Sequence, residues 1–144
     1  MATVGDILRV KGTEVLSVGP DTTVLEAARR MNEHGTGSVL VLMDGELAGI
    51  FTERDVMRRV VAAQRDPATT PVGDVMSREL VTCDPATDME ACAQTMSAGR
   101  IRHLPVLAGA KLAGLVTSGD VLAYQLREHE GTIRQLHGFI YDGR

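Results

Sequence analysis

Gly49-Ile50-Phe51-Thr52-Glu53-Arg54-Asp55 returns 65 residues later as Gly114-Leu115-Val116-Thr117-Ser118-Gly119-Asp120. A Gly, two apolar residues, a Thr and an Asp thus recur in one register. The same offset of 65 pairs Pro20 with Pro85, Thr22 with Thr87, Met31 with Met96 and Val41-Leu42 with Val106-Leu107, and no gap is needed between Pro20 and Met57. Self-similarity at one offset marks duplication of a supersecondary unit of about 60 residues.

Working outward, each copy opens with a small amphipathic piece, Val4-Gly5-Asp6-Ile7-Leu8 and Val72-Gly73-Asp74-Val75-Met76. These match at an offset of 68, so the first copy carries three extra residues (68 − 65) before Pro20. Short strands are predicted near Glu14 to Val18 and Leu80 to Cys83. Helices follow, with apolar stripes at Val24, Ala27, Ala28, Met31 and at Met89, Cys92, Ala93, Met96. Both run i, i+3, i+4, i+7, the pattern of one buried helical face. Thr23 with Glu26 and Thr87 with Glu90 fit capping boxes. Their registers differ by one residue, which leaves Thr22 as an alternative first cap.

Two strands come next, Ser38 to Leu42 and Leu47 to Phe51, joined through the hairpin signal Asp44-Gly45. Their counterparts are His103 to Leu107 and Lys111 to Val116. A helix after each Thr carries Val56, Met57, Val60 and Val61, or Val121, Leu122 and Leu126. The first of these faces is broad enough to serve both its own sheet and a partner. The unit reads β-α-β-β-α. One such sheet with helices on one side leaves its other face bare, so the expected fold is α+β, two repeats packed sheet to sheet about a pseudo-twofold axis. The divisions are repeat 1 over 1–61, a linker 62–71 with Asp66-Pro67 and Pro71, repeat 2 over 72–130, and a helical tail 131–144. In that tail Thr132-Ile133-Arg134-Gln135 fits a further capping box, opening a stripe of Ile133, Leu136 and Ile140.

Composition narrows the function. The net charge is −4 and aromatic residues make up 3%. Neither a general pull on phosphate backbones nor a set of stacking rings for single strands is available. Any phosphate site must be local. Cys83 and Cys92 lack metal-ligand spacing, so no metal site is predicted, and Cys92 reads as a buried thiol. The first residues do not form a signal peptide and no apolar run approaches membrane length; a reduced, cytoplasmic setting is the expectation. Gly35-Thr36-Gly37-Ser38 begins like a dinucleotide fingerprint but leaves a helix and enters a strand, the reverse of what that motif needs.

The repeated unit ending in Gly-apolar-apolar-Thr-x-x-Asp closely resembles the cystathionine-β-synthase (CBS) domain, from about Val4 to Leu126. The chain looks like a stand-alone tandem pair, a Bateman module of the small bacterial type. The resemblance implies clefts that bind adenosine-containing ligands, AMP, ATP, NAD(H) or S-adenosylmethionine, and so sense energy or redox state without catalysis or a catalytic cofactor. Asp55 and Asp120 would then accept from the ribose hydroxyls, since a carboxylate offers two acceptor oxygens to a cis-diol. Thr52 and Thr117 would bond ribose or phosphate. The stretch Ile101-Arg102-His103-Leu104-Pro105-Val106 matches the family segment whose backbone reads adenine and whose basic side chains reach phosphate. Its repeat 1 counterpart, Thr36 to Val41, lacks Arg, His and Pro, which makes the two clefts unequal and leaves Arg54 to supply charge. The implied ligand-binding set is Thr52, Arg54, Asp55, Arg102, His103, Pro105, Thr117, Ser118 and Asp120, with no catalytic residue.

A plainer reading stands beside it. Thr52-x-x-Asp55 and Thr117-x-x-Asp120 also fit the generic capping box, and Thr can cap while Asp points outward. The amides of Ser118 and Gly119 at the helix start would favour a nearby phosphate. The rival functions are a structural dimerisation module with vestigial clefts and a nucleotide hydrolase with Asp55 or Asp120 as base. The expected partners are an adenine nucleotide and a second copy of the chain, and neither nucleic acid nor a membrane.

Overall fold

The computed structural model describes residues 2–137. The elements in order are α1 (Val4–Lys11), β1 (Ser17–Val18), α2 (Val24–His34), β2 (Ser38–Met43), β3 (Glu46–Thr52), α3 (Glu53–Asp55), a π-helical stretch Val56–Val61, α4 (Val72–Val75), α5 (Met89–Gly99), β4 (His103–Ala108), β5 (Lys111–Thr117) and α6 (Ser118–His137). The fold is α+β with an internal repeat, as the periodicities predict. β1-β2-β3 form one sheet and β4-β5 another, and the sheets meet along β3 and β5. The predicted strand at Leu80 to Cys83 contracts to one parallel bridge, Cys83 to Val106. There the Cys83 amide donates to the Pro105 carbonyl (3.0 Å) and the Leu107 amide to the Cys83 carbonyl (2.8 Å).

The repeats agree in fine detail. Both hairpins carry a register shift at equivalent places, Val41/Leu42 and Val106/Leu107. Asp44 and Gly45 both have positive φ, 53° and 81°, the backbone of a tight two-residue hairpin turn. Thr23 caps α2 by accepting from the Glu26 amide. In repeat 2 the cap is Asp88, accepting from the Ala91 amide, not Thr87. Asp88 stands at the offset of 65 from Thr23, so symmetry holds where the Thr-x-x-Glu pattern misleads; the Thr87 hydroxyl instead accepts from the Asp84 amide in the preceding turn.

The opening pieces are exchanged between repeats. α1 precedes repeat 1, yet Val4, Ile7 and Leu8 are buried with Met89, Cys92, Met96, Leu104, Val106, Val116 and Val121. α4 precedes repeat 2, yet Val72, Val75 and Met76 are buried with Val18, Val24, Ala27, Met31, Val39, Val41, Phe51 and Val60. Backbone bonds fix the exchange: Val4 N–H donates to Thr87 O and Gly5 N–H to Pro85 O, while Val72 N–H donates to Thr22 O and Gly73 N–H to Pro20 O. α1 and α4 thus each pack in the core formed by the other repeat's sheet. The glycine of each motif serves this packing. A Cβ on Gly49 would meet Met76 Sδ at 2.6 Å, and one on Gly114 would meet Leu8 Cδ2 at 2.8 Å.

The second helices differ. After α3 the chain widens into i→i−5 bonds, Ala62 N–H to Met57 O and Arg65 N–H to Val60 O (both 2.9 Å). Val60 is thereby buried, whereas Met57 and Val61 stay exposed. α6 instead runs on through Gly131 and Thr132 to His137, so Thr132 starts no new helix. The side chains of Ile133 and Leu136, and Ile140 altogether, lie outside the described residues.

Candidate functional site

Thr52 and Thr117 end their strands and turn the chain into the second helices. Each hydroxyl accepts from the amide three residues on, Asp55 (3.3 Å) and Asp120 (3.2 Å). Each Asp reaches back, Asp55 Oδ2 to the Thr52 amide (3.0 Å) and Asp120 Oδ2 to the Thr117 amide (2.8 Å). Both capping boxes are complete. The Asp side chains are therefore part of the helix starts as well as the residues implied for ribose.

Their remaining partners differ. Asp55 is 6% exposed. The Ser77 hydroxyl donates to its Oδ1 (3.1 Å) and Oδ2 (3.3 Å), and Arg59 Nε lies 3.7 Å from Oδ1. Ser77 also exchanges both backbone bonds with Ile50, N–H to Ile50 O (2.8 Å) and O from Ile50 N–H (3.0 Å). In repeat 2 the longer α1 prevents that pairing and brings Lys11 over the carboxylate. Lys11 Nζ donates to Asp120 Oδ2 (2.6 Å) and to the Leu115 carbonyl (2.8 Å).

Between the repeats lies a cleft with two adjoining lobes. The smaller, about 250 Å³, is lined by Thr52, Glu53, Arg54, Arg100, Arg102 and His103. The larger, about 760 Å³, shares Gly37, Glu53, Arg102 and His103 and adds Thr36, Thr117 and Ser118. Three guanidinium-bearing residues and an imidazole thus converge in a chain of net charge −4. The one acid among them is Glu53, held against Gly37, whose carbonyl accepts from the Glu53 amide (3.1 Å). A Cβ on Gly37 would stand 3.3 Å from that carboxyl group, so glycine there makes room for it.

Electrostatics follow from this crowding. Burial, more than any other influence, pulls the His103 pKa below its ordinary 6.5; Glu53 opposes it, while Arg102 and Lys11 add to it. For Asp120, burial pushes the carboxyl up, but the Lys11 hydrogen bond and the Thr117 amide and hydroxyl outweigh it, leaving it below the ordinary 3.8.

Of the residues singled out from the sequence, Thr52, Arg54, Arg102, His103, Thr117 and Ser118 line the cleft. Asp55 and Asp120 lie behind it in their helix starts and line neither lobe. Pro105 is buried in β4 opposite Leu115, away from both lobes. The Ser118 amide is not free for a phosphate, because it donates to the Arg102 carbonyl (2.9 Å). Three residues escape the sequence reading: Lys11, Glu53 and Arg100. Arg100 carries a signal, since it replaces the helix-ending Gly35 at the offset of 65 and takes the same left-handed backbone, φ 53° against 64°. Lys11 carries none; it meets Asp120 across 109 residues.

A duplicated α+β module with exchanged opening helices and a cationic inter-repeat cleft defines a paired-repeat domain. The CBS domain model matches the chain twice, over residues 3–62 and 72–127, and the chain belongs to that family as a tandem pair. It is 35% identical over 150 residues to the mitochondrial CBS domain-containing protein CBSX3 of Arabidopsis thaliana, covering 98% of this chain and 73% of that one. It is 40% identical over 114 residues to the CBS domain-containing protein YhcV of Bacillus subtilis, covering 79% and 81%. Among solved structures, CBSX2 in complex with AMP is similar at a TM-score of 0.74 and 25% identity, covering 90% of this chain and 99% of that one. No helix among the described residues is long and apolar enough to cross a membrane.

Proposed function

We propose that the chain is a regulatory, non-catalytic sensor of an adenosine-containing ligand (AMP, ATP, NAD(H) or S-adenosylmethionine) in a reduced, cytoplasmic setting. The observation that carries this reading is the convergence of Arg54, Arg100, Arg102 and His103 on one cleft that Thr117 and Ser118 connect to Asp120. In this reading the ribose meets Thr117 on the cleft wall, with Asp120 behind it as the carboxylate it reaches, and the phosphates reach the cations. Charge-assisted bonds from guanidinium to phosphate are strong and directional. CBSX2, which binds AMP, supports the ligand class. A hydrolase is disfavoured because Asp55 and Asp120 each accept from two or more protein donors and neither is poised as a base.

Intact-mass measurement of the purified protein for a co-purified nucleotide, followed by thermal scans with each ligand, tests the reading. A bound ligand at a hundredfold excess over Kd stabilises by about 2.7 kcal/mol. Asp120→Ala should weaken binding by about 1.5–3 kcal/mol, the range for hydrogen bonds to a charged group. No shift with any of the four ligands leaves the structural-dimer reading.

The same module acts as a homodimer in this reading. Met57 (58% exposed) and Val61 (67%) have Leu122 (57%) and Leu126 (60%) as their equivalents at the offset of 65. The repeat thus presents one apolar pair on each second helix, and a second copy meets both with one isologous contact. A stable contact buries upwards of ~1,000 Å² in total. Sedimentation at micromolar concentration should show the dimer, and Val61→Glu with Leu126→Glu should give a monomer; a wild-type monomer of 15.4 kDa would remove the dimer from the reading and leave the cleft untouched.

A further inference from the structure

The two carboxylates of the motif are closed off by devices of different strength. Around Asp55 the closure is a backbone bridge, Ile50 to Ser77, topped by a part-buried hydroxyl. Around Asp120 it is one side chain. Lys11 is the last residue of α1, with 30% of its side chain exposed, and its ammonium holds Asp120 Oδ2 and the Leu115 carbonyl together. Its counterpart at the offset of 68 is Glu79, which carries the wrong charge to do the same at Asp55. The ammonium also lies near enough to bias the His103 imidazole ring of the cleft.

We infer that Lys11 is a tethered competitor at Asp120, and that a ribose reaches the Asp120 carboxylate from the inter-repeat cleft only by displacing its ammonium. The inference rests on the adenosine-ligand reading above. A cis-diol read by a carboxylate uses both oxygens. Asp120 Oδ2 already accepts from the Thr117 amide and from Lys11. The amide is fixed by the helix start, whereas Lys11 hangs on a flexible four-carbon stem in partial contact with water. Lys11 is the partner that yields. Each ligand is therefore selected for its ability to displace an internal cation, and the affinity of the cleft is set by α1, an element that precedes repeat 1 in the chain.

Adenosine is the probe, because it has the diol and no charge that a lysine could attract. Calorimetric titration of adenosine into wild type, Lys11→Met and Lys11→Arg at low and high salt decides the matter, with urea melts confirming that all three fold. Lys11→Met should bind adenosine about two- to fivefold more tightly, the fold-change that a partly exposed ion pair is worth. Lys11→Arg should stay near wild type. High salt should tighten adenosine binding to wild type, by screening the pair, and leave Lys11→Met unchanged. Equal or weaker binding by Lys11→Met, with wild type still binding, overturns the competitor role and makes Lys11 a bystander or a ligand contact while the sensor reading stands. Failure of adenosine, AMP and ATP to bind wild type and Lys11→Met alike overturns the sensor reading and the competitor with it.

Discussion

The two repeats share a motif, a hairpin bulge and an exchanged helix, yet they engage the carboxylate of the motif by different means. Repeat 1 is zipped: Ser77 pairs with Ile50 along the backbone and its hydroxyl, with Arg59 nearby, saturates a buried Asp55. Repeat 2 is latched by the side chain of Lys11 alone, over an Asp120 whose side chain is 21% exposed. The cause is upstream of the motif. α1 runs to Lys11, whereas α4 stops at Val75 and lets Met76-Ser77 extend against β3. Identical motif residues therefore stand in unequal surroundings, and duplication preserved the frame while the opening helices diverged.

The largest expected effect breaks or confirms that contrast directly. Asp55→Ala should lower unfolding stability by about 2–3 kcal/mol, because it removes a cap from a buried helix start and leaves the part-buried Ser77 hydroxyl without its acceptor, while Arg59 keeps the Met76 carbonyl. Asp120→Ala should cost only about 1 kcal/mol, since its cap is removed but Lys11 turns to water. Urea melts of the two variants give the comparison. Equal losses would mean that both carboxylates are structural to the same degree and that the zipped and latched surroundings do not differ.

Much of this was legible in the residues. The apolar run and the Asp44-Gly45 turn placed the strand Ser38 to Leu42, observed as Ser38–Met43, and the offset of 65 placed both motifs at helix starts. The apolar stripes showed which helix faces are buried. They could not show against which sheet, because a hydrophobic pattern reports a face and not its partner. The exchange of α1 and α4 was hidden for that reason. So was Lys11, whose spacing from Asp120 follows no local rule. The capping patterns were ambiguous: Thr52-x-x-Asp55 fits a cap and a ribose site alike, and only the surrounding donors show how fully each carboxylate is engaged.

A middle-sized effect comes from His103. Burial first, then Arg102 and Lys11, hold its pKa below 6.5 against the pull of Glu53. A base with a lowered folded pKa keeps its share of stability above its unfolded pKa and loses it as pH falls through the folded value. The empty protein should thus lose a little stability on acidification below about pH 6.5. A phosphate placed beside the ring reverses the balance and draws a proton in. The preference for AMP over adenosine should accordingly fall less steeply between pH 8 and 6 in wild type than in His103→Gln, by a margin of up to about 1.4 kcal/mol for one unit of pKa change. Calorimetry in buffers of different ionisation enthalpy reads the proton uptake; parallel profiles would place the phosphate away from the ring.

The smallest effect is the most specific to repeat 2. Arg100 ends α5 in the left-handed conformation that Gly35 adopts at the end of α2. A residue with a Cβ is strained there by about 1–2 kcal/mol, and glycine relieves the strain but gains freedom in the unfolded chain. Arg100→Gly should therefore stabilise the protein by roughly 0.5 kcal/mol, the remainder after that offset. The strained position puts a guanidinium-bearing residue on the lining of the smaller lobe. The same substitution should weaken AMP binding about threefold while leaving adenosine unchanged, since it removes one exposed guanidinium–phosphate pair. Stability and phosphate affinity moving in opposite directions is the signature of a residue kept for its charge. A variant that is both more stable and equally good at binding AMP would show that Arg100 lines the cleft without serving it, and that the phosphate contacts of repeat 2 come from Arg102 and His103 alone.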